Sequence, residues 1–166
     1  MLQPVCRRTW APRGQTPIQH AWDRHDRLSA ITAITLSAKR ERQGLFFQIR
    51  AHNIRGPDMV AFLRALHRQL RRPIILVWDR YSVHRSAWRQ LREAGCKWLH
   101  VEWLPGYAPD LNPVEAIWSH TKYSDLANYV PNDVDHLLDA VGGSLNDLHY
   151  DQRLLRSFFG WAGLAL

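Results

Sequence analysis

Cysteine, lysine and long apolar runs are all scarce in this sequence, and each scarcity excludes something. The two cysteines, Cys6 and Cys96, stand far apart with no CxxC or paired Cys/His spacing. That excludes a disulfide framework and a thiolate zinc centre, and leaves two reduced thiols. No apolar run approaches the roughly 20 residues that a bilayer-spanning helix needs. The opening MLQPVCRRTW also lacks the apolar stretch of a secretory signal. The expected location is therefore the cytoplasm. Internal repeats are absent too, so the Trp78-Asp79 pair is no propeller signature.

Acid is scarce in one part of the chain only. Residues 1–92 hold 18 Lys+Arg against 5 Asp+Glu, a balance of +13, whereas residues 93–166 hold 4 against 10, a balance of −6. A basic part beside an acidic part is the pattern of a polyanion binder with a separate acidic segment. Only three of the 22 cations are lysine, and arginine suits bidentate contact with phosphate. The 166 residues are 46% hydrophobic and include eight Trp, enough for one packed domain rather than a disordered chain.

The order of elements follows from periodicity and breakers. Residues 7–17 read as an extended loop, because Pro12 and Pro17 exclude a central strand and Gly14 permits a turn. Residues 28–36 and 44–50 read as two antiparallel strands across the KRERQG turn. From Gly56 to Arg71 the apolar residues recur at helical spacing. PIILVWD, residues 73–79, is a continuous apolar run, the mark of a parallel strand buried on both faces. A helix over 85–94, a strand over 98–104 and a proline-rich loop over 105–113 follow. Asn112-Pro113 then opens a helix running through Trp118 to about Tyr123. A helix starting at Pro131 and a short one near 152–159 complete an α/β domain with an antiparallel pair followed by parallel strands.

Two acids stand out by position. Asp79 ends the apolar strand, where open α/β sheets place ligands, although an acid there also caps the next turn. Glu115 lies in the first turn of its helix, a position the macrodipole alone favours. A proline-stiffened loop that brings Glu115 to the strand end would assemble an oxygen site suited to Mg²⁺ or Mn²⁺. Two such ions about 4 Å apart can activate a hydroxyl and stabilise a leaving oxygen.

VWDRYSVHRS at 77–86 and WLPGYAPDLNPVEAIWSHTK at 103–122 resemble the second and third acidic blocks of mariner-type DDE transposases, in particular their bacterial insertion-sequence branch. RTWAPRGQTP at 8–17 and LSAITAITLS at 28–37 resemble the segments that follow the family's first acidic strand. The resemblance covers nearly the whole chain. It implies a ribonuclease H-like mixed α/β sheet flanked by helices, two Mg²⁺ or Mn²⁺ ions held by Asp79 and Glu115, and cleavage and strand transfer of DNA in transposition. The implied partners are transposon ends and target DNA, with a homodimer as a compatible assembly and nucleoid association when DNA is bound.

One departure qualifies this expectation. The family's first Asp stands just before the R-T-W-A-P-R-G segment, where this chain has only MLQPVCR; Asp23 and Asp26 fall beyond the Pro17 loop. Residues 1–166 therefore read as a single, N-terminally truncated catalytic domain without its first, central strand and without a helix-turn-helix domain. The expectation is an inactive chain, with a non-catalytic DNA-binding or interaction remnant as the alternative.

The remaining candidates have supporting roles. The family pattern often has a histidine at the position of His84, which would orient Asp79 or simply contact the helix entry. Trp118 would orient the acidic helix by packing. Lys122, seven residues after Glu115, shares its helical face and would meet phosphate or solvent. Arg7, Arg8 and Arg13 form a short basic loop suited to phosphate.

Overall fold

In the computed structural model, residues 5–18 and 28–166 are described. Strands β1 (Ser29–Leu36) and β2 (Gln43–Arg50) form an antiparallel hairpin in which Ile31 faces Gln48 and Ile34 faces Leu45. Ser37 closes the hairpin by accepting the N–H groups of Glu41 and Arg42 on its Oγ. Helix α1 (Gly56–Leu70) follows, its entry fixed by the Arg55 N–H donating to Asp58 Oδ2 at 2.8 Å. Strand β3 (Ile74–Trp78), helix α2 (Ser82–Glu93) and strand β4 (Leu99–Trp103) complete a parallel unit, with Ile74 opposite Leu99 and Trp78 opposite Trp103. Helices α3 (Pro113–His120), α4 (Val134–Tyr150) and α5 (Gln152–Trp161) close the chain.

Period-2 alternation makes β1–β2 a sheet with two apolar faces. Ile31, Ala33 and Phe46 pack with Met59, Leu63 and Leu66 of α1, Ala87 and Leu91 of α2, and Trp78. Leu45, Phe47 and Ile49 pack on the other side with Ile117, Val141, Leu145, Leu155 and Phe158 from α3, α4 and α5. The sheet is thus a central layer between two helical layers. Fully burying a side chain such as Leu63 or Ile117 contributes about 1.5–3 kcal/mol. Polar contacts lock the second helical layer onto β2. The Gln152 side chain accepts the Gln43 N–H at 3.1 Å and donates to the Gln43 carbonyl at 2.8 Å, and the His149 ring lies 2.7 Å from the Leu45 carbonyl.

Two expectations need correction. The strand over 73–79 is covered on one face only: Ile75 and Val77 are 73% and 57% exposed, and their neighbours across the ladder, His100 and Glu102, are exposed as well. The cause is placement, since α4 and α5 lie over β2 and α3 against β1, leaving that side of β3–β4 open. The mixed α/β fold flanked by helices is as expected, and among the described residues its strands form two two-stranded pieces, β1–β2 and β3–β4. The helix expected from Pro131 begins at Val134, because Asp133 is the residue whose Oδ1 accepts the His136 N–H, at 2.8 Å. The stretch toward Tyr123 is helical as expected, but it widens into a π-helical turn over Thr121–Asp125, with the Leu126 N–H donating to the Thr121 carbonyl. Asp23 and Asp26 lie outside the described residues.

Candidate metal centre

β3 runs straight into Asp79, and the backbone turns there. Asp79 Oδ1 accepts the Tyr81 N–H at 2.8 Å, an Asx turn that leads into α2. The same oxygen lies 2.6 Å from His84 Nδ1. A carboxylate oxygen accepts, so Nδ1 carries the proton and donates it to Asp79. Aromatic packing fixes the imidazole: it stacks on Trp78 with centroids 4.3 Å apart and meets the Tyr81 ring edge-on at 5.6 Å. Trp78 in turn stacks on Trp103 of β4. Burial pushes His84 below the usual imidazole range, against the opposing pull of Asp79.

Glu115 arrives by a separate route. The loop after β4 is tied to the end of β3, because the Leu104 N–H donates to the Trp78 carbonyl and Arg80 Nε donates to the Leu104 carbonyl. A single 3-10 turn, Pro109–Leu111, leads to Asn112, whose Oδ1 accepts the Val114 N–H at 3.2 Å and starts α3. Pro113 occupies the first helical position, where its absent N–H costs nothing. Ala116 and Ile117 anchor α3 in the core, with Trp118 packed partly against the same cluster. That orientation leaves Glu115 half-buried, within electrostatic reach of Asp79 at the end of β3.

The two acids are coupled electrostatically. Burial first, and then the negative charge of Asp79, raise the Glu115 carboxyl above the usual carboxylate range, while Lys122 opposes them. Two acids with 35 residues of sequence between them thus lie near enough for the charge of one to act on the other, with Lys122 near enough to oppose it. Repelling carboxylates at a partly open strand end suit a hard divalent cation, which would relieve the repulsion. Among the described residues no three His, Cys, Asp or Glu side chains are grouped to hold an ion.

Arg7, Arg8 and Arg13 are placed differently from one another. The Arg7 N–H donates to Asn128 Oδ1, its Nη1 donates to the Tyr123 carbonyl, and its guanidinium lies over the Tyr123 ring. Arg7 thus fastens the N-terminal segment to the turn after α3, helped by the parallel bridge from Val5 to Ala127. Arg8 and Arg13 are exposed, the latter beside a turn in which Gln15 N–H donates to the Pro12 carbonyl and Gly14 takes a positive φ. The sequence reading passed over Trp78 and Tyr81 as site residues, although aromatics flanking the Asp-to-His spacing were a usable signal. A cavity of about 440 Å³ opens elsewhere, between the π-helical turn and α4, and is lined by His120, Asp125, Tyr129 and Ser144.

Among solved structures, the fold is similar to that of a chain in the crystal structure of the Mos1 strand transfer complex. The TM-score is 0.54 and the identity 13%, over 97% of this chain and 51% of that one. This chain spans about half the length of its structural relative. No curated protein matches it in sequence. No helix among the described residues is long and apolar enough to cross a membrane. The sequence profile of a family described as DDE superfamily endonuclease matches residues 1–137, which include Asp79, Glu115 and Lys122, and the chain belongs to that family.

Proposed function

We propose that the chain is a portion of a transposase catalytic domain in which Asp79 and Glu115 are two of the carboxylates that hold Mg²⁺ or Mn²⁺, two ions in the complete site. The observation that carries this reading is the placement of Asp79 at the end of β3 and of Glu115 in the first turn of α3, within the segment that matches the endonuclease family; the charge of Asp79 acting on Glu115 agrees with it. The donors fit a hard cation, and endonucleases of this superfamily generally use divalent metal ions. When bound, the ions supply the charge that polarises a DNA phosphate and activates the attacking oxygen. His84 holds Asp79 Oδ1 in a fixed direction, with Trp78 and Tyr81 keeping the imidazole in place. Trp118 sets the orientation of α3 through the core. Lys122 offsets negative charge beside Glu115, and exposed Arg8 and Arg13 contact backbone phosphates of transposon-end or target DNA. Arg7 holds the loop that carries them.

Among the described residues, Asp79 and Glu115 by themselves would give a divalent ion few protein ligands. The chain alone therefore binds metal weakly and does not cleave, and its own role is closer to DNA binding, for which its arginine-rich surface is suited. The test is nicking of supercoiled plasmid by the purified chain with Mn²⁺. No nicking above the Asp79→Ala background is expected; nicking that disappears in Asp79→Ala would overturn the inactivity.

A further inference from the structure

We propose that the outer face of α1 and α2 is a docking surface for the phosphate backbone of duplex DNA, separate from the carboxylate pair and from the Arg8–Arg13 loop. Between Arg64 and Arg92 the chain holds eight arginines against a single acid, Asp79. Arg85, Arg89 and Arg92 recur at i, i+4 and i+7 of α2, and all three are exposed. Arg64 and Arg68 recur at i and i+4 of α1 and are exposed too, with Arg71 and Arg72 at its C-terminal end. No ion pair joins any of these seven to an acid among the described residues.

The two stripes belong to one surface. α1 and α2 pack against each other on the same side of the sheet, and Gly56 is buried where the Ser86 and Gln90 side chains approach; a Cβ there would lie 2.6 Å from Gln90 Nε2. Their apolar faces are spent on Leu63, Leu66, Ala87 and Leu91, so the arginines remain on the outside. On α1 and α2 the only acids are Asp58 in the first turn of α1 and Glu93 at the last position of α2, whereas on the opposite helical layer Asp135, Asp139 and Asp147 of α4 are exposed. The molecule is therefore electrically polarised across its sheet, which orients it on a polyanion.

Geometry and composition favour a duplex. From Arg85 to Arg92 the helix rises about 10 Å, a length over which duplex DNA presents about six phosphate charges. Single-strand binders add exposed aromatics on which bases stack. Here Trp88 is half-buried and Trp98 stacks on His67, and the exposed aromatic nearest the stripe, Tyr81 at the start of α2, has its ring against His84, so the length of the stripe itself offers arginine. The stripe also starts at the helix that Asp79 leads into, so a duplex lying along α2 runs away from the carboxylate pair.

The test is fluorescence anisotropy of a labelled duplex against salt, in EDTA so that metal binding plays no part. Replacing Arg85, Arg89 and Arg92 together by Gln should lower the slope of log affinity against log salt by about 2–3, and the matching triple Lys variant should keep it. A control removing equal charge elsewhere, Lys39→Gln, Arg42→Gln and Arg153→Gln, should leave the slope near that of the parent chain. If the α2 triple Gln variant does not fold, Arg64→Gln with Arg68→Gln should lower the slope by about 2. An unchanged slope in the α1 or α2 variants, an equal drop in the control, or tighter binding to single-stranded RNA or an acidic peptide than to duplex would each overturn the proposal.

Discussion

His84 Nδ1 lies 2.6 Å from Asp79 Oδ1, while the same ring stacks on Trp78 at 4.3 Å. One largely buried imidazole thus sets the direction of a carboxylate that is itself 43% exposed. Replacing the ring by a methyl group removes both the hydrogen bond and the stack. His84→Ala is expected to weaken Mn²⁺ binding by about 10–100-fold, the effect usual for a partner that orients a metal ligand. Isothermal titration calorimetry checks it; unchanged affinity would show that Asp79 needs no such support.

Glu115 should reveal itself through pH. Its carboxyl is raised by burial and by Asp79, so the folded chain holds that proton more tightly than the unfolded chain does. The stabilisation from this proton is fully present below the ordinary carboxylate range and is lost as pH rises through the raised value. At neutral pH the charged Glu115 is thus a liability, which Glu115→Gln removes. The variant should melt higher than the parent at neutral pH, and the difference should vanish below about pH 4. Thermal scans across pH decide this, and an equal or lower Tm for the variant at neutral pH would contradict it.

Much of this site was legible in the sequence, for identifiable reasons. The apolar run before Asp79 and the Asn112-Pro113 helix start are local signals, and both stand as expected. The one-sided cover of β3 was not legible, because it depends on α3, α4 and α5 settling over β1–β2 rather than over β3–β4. The π-helical turn was likewise hidden. Its first residue, Thr121, is fully buried and accepts a hydrogen bond from Ser144 of α4, a contact that no local pattern encodes. Arg7 looked like a phosphate ligand by charge, yet its guanidinium holds a carbonyl more than a hundred residues away.

Gln152 offers a test of how α5 is held. Its amide makes both hydrogen bonds that an adjacent strand would offer to Gln43, which is 6% exposed. Gln152→Ala leaves a buried N–H and carbonyl unpaired and should cost about 1–3 kcal/mol. Urea denaturation measures it through a lower midpoint with an unchanged slope. A midpoint equal to that of the parent chain would mean that water replaces the side chain at no cost.

The joint site itself is tested most directly by a double-mutant cycle in Mn²⁺ affinity, read by electron paramagnetic resonance. If Asp79 and Glu115 hold one ion between them, Asp79→Asn and Glu115→Gln each weaken binding by at least about tenfold, the smallest loss usual even for an outer partner. The double variant should then bind little worse than the weaker single one, because the first change already breaks the shared site. Losses that simply add, or a Glu115→Gln chain that binds Mn²⁺ as tightly as the parent, would contradict a metal site shared by these two carboxylates.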